Sequence, residues 1–226
     1  MIENVDYEYV ELPSKGECHP HKKGRIAVAY MKAIDENILA FPGYIRTHTV
    51  CDELLRDKII DNDINPDNLC IGDRNAVLVW LRRTGYGDIV ISHNDGNKVD
   101  LSELKFKEFT LKGDENGYFN YLLGNGDVIK YRLLTHDDEQ SIINAINDYL
   151  GKDDDESFKR LCDLVLLKST VSVNGNNSES YCNEYLNRLS EDEWFGYLRS
   201  ITANTPDYDF SNVVLTIDDS LFNDIE

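Results

Sequence analysis

The sequence predicts an α+β fold, small antiparallel strand layers with packed helices, and three observations carry that expectation. Helical periodicity in the first third gives way near Asp88 to strand-like runs and returns near residue 137. The strand-like runs are separated by Gly-, Asn- and Asp-rich turns, which is how hairpins are punctuated. Residues 72–87, GDRNAVLVWLRRTGYG, read as a helix whose apolar side chains occupy more than half of its turns and must be buried. With 226 residues, 41% of them apolar, the chain can build one large or two small cores.

Taken in order, residues 1–24 contain Pro13, Gly16, Pro20 and Gly24 without sustained periodicity, so an N-terminal arm or capping strand is expected, with Leu12, Pro13 and Gly16 as its landmarks. A first half, residues 25–125, starts with RIAVAYMKA as a strand. IDENILAF follows as a helix with an acid-led start at Asp35, halted by Pro42 and Gly43. Residues 47–60 place Val50, Leu54, Leu55 and Ile59 on one helical face, and the polar loop DNDINPDN leads on. In the helix of residues 72–87, Asp73 is expected to be the N-cap, and Ala76, Val77, Val79, Trp80 and Leu81 to supply the apolar surface. Arg82 and Arg83 complement the dipole of its last turn, Gly85 is expected to take the left-handed conformation that ends it, and Tyr86 and Gly87 complete the exit.

DIVIS at 88–92 and FKEFTLK at 106–112, separated by Asn94-Asp95-Gly96, are expected to form an antiparallel layer. GDENG and GNGD bracket YFNYLL, and VIKYRLL at 128–134 alternates as a further strand. The second half, residues 126–226, continues with helices at about 137–150, 155–169, 179–189 and 191–202, then VVLTI at 213–217 as a terminal strand with an acidic tail. Residues 25–39 and 128–142 echo one another as a strand leading to an acidic helix start, which suggests two related half-domains from a diverged duplication.

A formal charge of -19, from 23 basic and 42 acidic residues, opposes affinity for nucleic acid and for anionic membrane surfaces. No apolar run has the length of a signal peptide or a membrane span, so a cytoplasmic site of synthesis and use is expected. Five scattered cysteines without a C-x-x-C oppose a complete disulfide framework.

The patterns that would carry chemistry are incomplete. Asp61, Asp63, Asn65 and Asp67 alternate as calcium ligands do, but Pro66 and Gly72 stand where a sharp-turn Gly and a bidentate Glu are needed, so a polar connector is expected. Cys18, His19 and His21 offer soft and imidazole donors, yet a closed zinc site needs four. Only isolated residues such as His48, Cys51 or His93 remain to complete it, and no metal or other cofactor is expected. His136, Asp137 and Asp138 admit a metal-dependent hydrolase, against which acids opening a helix need only its dipole. No nucleophile elbow or phosphate loop is present, so the chain is read as non-enzymatic. Thirteen tyrosines supply amphipathic surface suited to protein contact.

An ordered set of segments then resembles the T4-type phage baseplate protein family, baseplate hub subunits or hub-assembly proteins of contractile-tailed phages. The set comprises ELPSKG at 11–16, the strand and acidic helix start at 25–39, L-x-x-x-D-R with L-R-x-T-G-Y-G at 69–87, VIKYRLLTHDDE at 128–139, and VSVNG at 171–175 followed by YLNRLSEDEW. The family's Cys pairs after the Gly-Tyr-Gly helix and near the C-terminus, suggestive of metal-stapled hairpins, are missing: the corresponding stretches read ISHNDGNKVDL and TPDYDFSNVVL. The resemblance implies a structural or assembly protein of the tail baseplate. Its partners would be other phage tail or baseplate proteins, with an oligomer within the baseplate allowed, in the host cytoplasm during assembly and in the virion if retained. A transient assembly chaperone absent from the finished particle is the alternative.

Overall fold

A computed structural model describes residues 5–91, 97–146, 154–209 and 216–217. Strands β1 (Tyr7–Glu11) and β2 (Arg25–Ala29) form an antiparallel hairpin with Tyr7 opposite Ala29 and Glu11 opposite Arg25. Helices α1 (Glu36–Leu39), α2 (Pro42–Thr47), α3 (Val50–Lys58) and α4 (Ile71–Tyr86) follow. Strands β3 (Ile89–Ile91), β4 (Asn97–Asp100), β5 (Lys105–Phe106), β6 (Phe119–Leu122) and β7 (Val128–Tyr131) come next. Helices α5 (His136–Ile146) and α6 (Asp154–Ser169), strand β8 (Thr170–Val173), helices α7 (Glu179–Leu186) and α8 (Glu191–Ala203), and strands β9 (Tyr208–Asp209) and β10 (Thr216–Ile217) complete the order. Every described ladder is antiparallel, in sheets ordered β1-β2, β10-β4-β3, β5-β9 and β6-β7-β8, so the fold is α+β with small antiparallel layers.

Two apolar clusters sit beneath these layers. One gathers Ile26 and Val28 of β2, Leu55 of α3, Leu69, and Val77 and Leu81 of α4. The other gathers Phe119, Ile129, Tyr131, Leu166, Val173 and Tyr197 and also takes in Cys70 and Phe109. Cys70 therefore faces the second cluster while the helix it precedes packs in the first, which brings the start of α4 to the seam between them. No described helix is long and apolar enough to cross a membrane.

The two segments of the internal echo share local geometry. β2 and β7 are each the second strand of a hairpin, and Ile26 and Ile129 are both fully buried. Asp35 accepts from the backbone N–H of Lys32 at 2.6 Å, and Asp138 from that of Thr135 at 2.9 Å. Their counter-ions differ: Lys58 of α3 meets Asp35 at 2.6 Å, whereas Arg132, just beyond β7, meets Asp138 at 2.6 Å.

Several expectations need correction. Cys70, not Asp73, is the N-cap of α4, and its side chain makes no capping bond. Asp73 lies one turn further in and is fully buried, because its carboxylate is engaged from outside the helix. Gly85 is inside α4, and the exit is made by Gly87, whose φ of 84° is positive but whose ψ of 175° is extended rather than left-handed helical. A Cβ at Gly85 would stand 2.9 Å from Met31 Sδ, so close packing is what distinguishes that position. Arg82 spans the exit by donating to the Gly87 carbonyl at 2.9 Å and the Ile89 carbonyl at 3.2 Å. Trp80 is half-buried at the rim of the first cluster, 5.2 Å from the Tyr30 ring, rather than at its centre.

The helix that starts at Asp35 ends at Leu39, ahead of Pro42 as expected, and Pro42 then opens a further helix, α2, as its fixed φ and missing N–H allow at a first turn. In the expected 106–112 strand only Phe106 lies in a ladder, with the Lys107 N–H reaching the Asp207 carbonyl at 2.9 Å, and the partner of β3 is β4. β8 was not foreseen as a strand; it pairs with β7 through a register shift at Lys130/Tyr131. Asn94-Asp95-Gly96, His93, residues 147–150, residues 213–215 and the acidic tail lie outside the described residues.

Candidate functional site

The polar residues of the arm and of α4 meet in one buried cluster. Between β1 and β2 the chain winds through successive turns, with the Lys15 N–H on the Leu12 carbonyl at 2.9 Å, Glu17 on Ser14 at 3.0 Å and Lys22 on His19 at 3.2 Å. Leu12 N–H bonds the Gly24 carbonyl at 2.9 Å and closes the loop at its neck. Gly16 makes the winding feasible: its φ is +82°, and a Cβ there would fall 2.6 Å from the backbone carbons of Lys22 and Lys23.

This loop is fastened to the first turn of α4. Ser14 donates its N–H to Asp73 Oδ1 at 2.9 Å and its hydroxyl to Oδ2 at 2.5 Å, while Gly16 N–H donates to the Ser14 oxygen at 3.1 Å. His19 Nε2 lies 2.7 Å from the same Oδ2, with both side chains almost wholly buried. An acid in the first turn also faces the positive end of the helix dipole. Burial alone would push the His19 ring down; its hydrogen bonds to Asp73 and to Cys70 outweigh that and raise its pKa from 6.5 to about 9. His19 is therefore a buried cation paired with a buried carboxylate.

Cys70 is 3% exposed, and hydrogen bonding to Cys18 together with burial holds its thiol well above the ordinary 9.0. It stays a thiol at neutral pH, which removes the thiolate that nucleophilic catalysis requires. The His21 ring stacks on His19 at 4.9 Å and accepts from the Lys23 N–H through Nδ1 at 3.0 Å. Burial and the charge on His19 lower its pKa to about 4. Cys18, His19, His21 and Cys70 line a cleft of about 360 Å³, to whose lining Asn116, Tyr118 and Arg132 also belong.

Of the landmark residues, Leu12, Pro13, Gly16 and Asp73 come together here, and all four are buried. Trp80 and Arg82 lie about 10 to 14 Å further along α4 and Gly85, Tyr86 and Gly87 about 20 Å along it, at 1.5 Å per residue, and none of them joins the site. The alternating acids act as a connector: Lys23 pairs with Asp61 at 3.2 Å and Asp63 at 2.5 Å, and Arg56 with Asp67 at 2.8 Å. Asp138 is engaged by both Arg132 nitrogens and by Thr135, and His136, Asp137 and Asp138 make no metal-ligating group among the described residues. His48 and Cys51 are exposed and lie apart from Cys18 and His19.

Sequence reasoning missed Cys70 and Ser14 and misassigned Asp73. The available signal was Cys70 and Asp73 standing three residues apart, hence on one face of a helix start, with the apolar side of that helix already committed to a core. Comparison with family models, with curated proteins and with solved structures gives no match for this chain.

Proposed function

We propose that this chain is a non-enzymatic structural or assembly component of a contractile phage tail baseplate, acting through contacts with other tail or baseplate proteins. The observation that carries this reading is the junction of ELPSKG with the start of the LCIGDR helix. Two separate segments on which the resemblance rests meet through Ser14, Asp73 and His19 in a closed lock. Residues arranged in that way specify a fold, since each polar group of the lock already has a partner within it.

The surface supports a contact role. Tyr7 and Tyr9 project from one face of β1 with ring centroids 5.8 Å apart, 48% and 51% exposed. Phe158 and Phe195, 61% and 47% exposed, flank a groove between α6 and α8 that also holds Trp194. Large exposed aromatics are costly to leave in water and are enriched where proteins meet. The charge of -19 favours protein over nucleic acid as the partner.

Mass spectrometry of purified virions and of infected-cell lysate, combined with pull-down of the tagged chain from that lysate, tests the proposal. Recovery of tail or baseplate proteins with the chain supports it. Stoichiometric presence in virions makes the chain a structural subunit, and confinement to lysate makes it an assembly factor. Failure to recover any tail protein, with absence from particles, overturns the proposal.

A further inference from the structure

We propose that Cys18, His19, Cys70 and Asp73 form a site for a single thiophilic divalent cation of the zinc class. The donor atoms of His19, Cys70 and Asp73 all lie within 4.8 Å of one another, and all three residues are buried. Cys18, next to His19 in the wound loop, lines the same cleft as His19 and Cys70 and is the fourth donor of the proposed set. Two sulfurs, one imidazole nitrogen and one carboxylate oxygen make a set that suits zinc and is wrong for calcium or magnesium, which take oxygen ligands.

For His19, Cys70 and Asp73 the geometry needs adjustments of only about an ångström. Zinc bonds of about 2.0 Å to nitrogen and oxygen and 2.3 Å to sulfur place tetrahedral donors roughly 3.3 to 3.8 Å apart. His19 Nε2 and Asp73 Oδ2, now 2.7 Å apart, would separate by less than about an ångström to admit the ion. Ser14 holds Asp73 through its backbone N–H on Oδ1 and its hydroxyl on Oδ2, the kind of outer hydrogen bonding that fixes the direction of a ligating carboxylate. Cys18, His19 and Cys70 line the 360 Å³ cleft, so an ion has a route from solvent.

No oxidation or reduction is involved. The cation displaces the thiol protons of Cys18 and Cys70 and the proton shared between His19 and Asp73, which pass to solvent while four coordinate bonds form. The ion would join the arm to α4 more firmly than the His19–Asp73 pair does alone. A role in tail assembly does not depend on it.

Cobalt(II) titration of the full, reduced, metal-stripped chain tests the site. One equivalent should bind, with thiolate-to-cobalt charge transfer in the near ultraviolet and the intense visible bands of tetrahedral cobalt, and zinc should displace it. Cys18→Ser, at the half-buried rim, should keep its circular dichroism, lose part of the charge-transfer intensity and bind cobalt more weakly by at least roughly tenfold to a hundredfold, the scale seen even for outer partners. Cys70→Ser should weaken binding as strongly. Absence of the charge-transfer band in the wild-type chain overturns the proposal, as does a band of unchanged intensity and affinity in both variants.

Discussion

Ser14 grips both oxygens of the Asp73 carboxylate, with its N–H on Oδ1 at 2.9 Å and its hydroxyl on Oδ2 at 2.5 Å, across 59 residues of sequence. Since His19 also leans on Oδ2, removal of the carboxylate strands a buried cation, a backbone N–H and a hydroxyl together. Asp73→Ala should therefore cost about 3 to 5 kcal/mol in urea denaturation, as loss of one partner of a buried pair does. A loss under about 1 kcal/mol would show that the lock contributes little to folding.

His19 makes stability depend on alkaline pH in the metal-free chain. Its folded pKa of about 9 exceeds the ordinary 6.5, so the folded state holds the extra proton between those values. The stabilisation is complete below 6.5 and is lost as pH rises through about 9, at up to about 1.4 kcal/mol per pH unit. Melting temperature measured across that window should fall, and His19→Gln should flatten the fall.

His21 acts in the opposite window. Its folded pKa of about 4 lies below 6.5, so between those values the unfolded chain takes up a proton that the stacked ring refuses. Stability should decline as pH drops from 6.5 towards 4. Acids contribute to the same limb, so the check is a difference: His21→Gln should show a shallower acid decline than wild type, and an identical profile would refute the assignment.

Gly16 and Gly87 both have positive φ but differ in surroundings. A Cβ at Gly16 meets backbone at 2.6 Å, whereas at Gly87 nothing lies within 4 Å. Gly87→Ala should cost about 1 to 2 kcal/mol from backbone strain alone, and Gly16→Ala clearly more, since displaced main chain adds about 1 to 3 kcal/mol. Equal effects in parallel denaturation curves would mean that the loop at residues 12–24 yields.

Trp80 packs from the rim of the first cluster and against Tyr30. Trp80→Ala should cost about 2 kcal/mol, less than the 3 to 5 of a fully enclosed tryptophan, because part of its surface already faces water. If stability were unchanged while recovery of tail proteins collapsed, the exposed part of Trp80 would belong to a contact surface.

Much of the architecture was legible. The hydrophobic periods of residues 47–60, 72–87 and 191–202 locate α3, α4 and α8, because a helix that buries one face must repeat its apolar residues near 3.6. The capping box of Ser190 and Glu193 sets the start of α8 by local chemistry alone. Legibility failed where a residue's role is set by a distant neighbour. Asp73 has the composition of a cap but serves as an anchor for Ser14, and Phe109 belongs to the second core through an extended segment with little ladder pairing. The candidate site was half visible: Cys18, His19 and His21 stand together in the sequence, while Cys70 and Asp73 arrive only when the wound loop is laid on α4.

What the sequence determined by itself was the class of fold, the acidity that disfavours nucleic acid, and the helices and turns, since periodicity, capping and glycine punctuation act over a few residues. The tertiary structure decided which polar groups share a buried space. The pairing of His19 with Asp73 spans 54 residues and is enforced by two apolar clusters meeting at the start of α4, so local sequence carries no record of it. Tertiary contact then makes His19 a buried cation through its hydrogen bond to Asp73, while burial and its neighbours keep Cys70 a neutral thiol beside it.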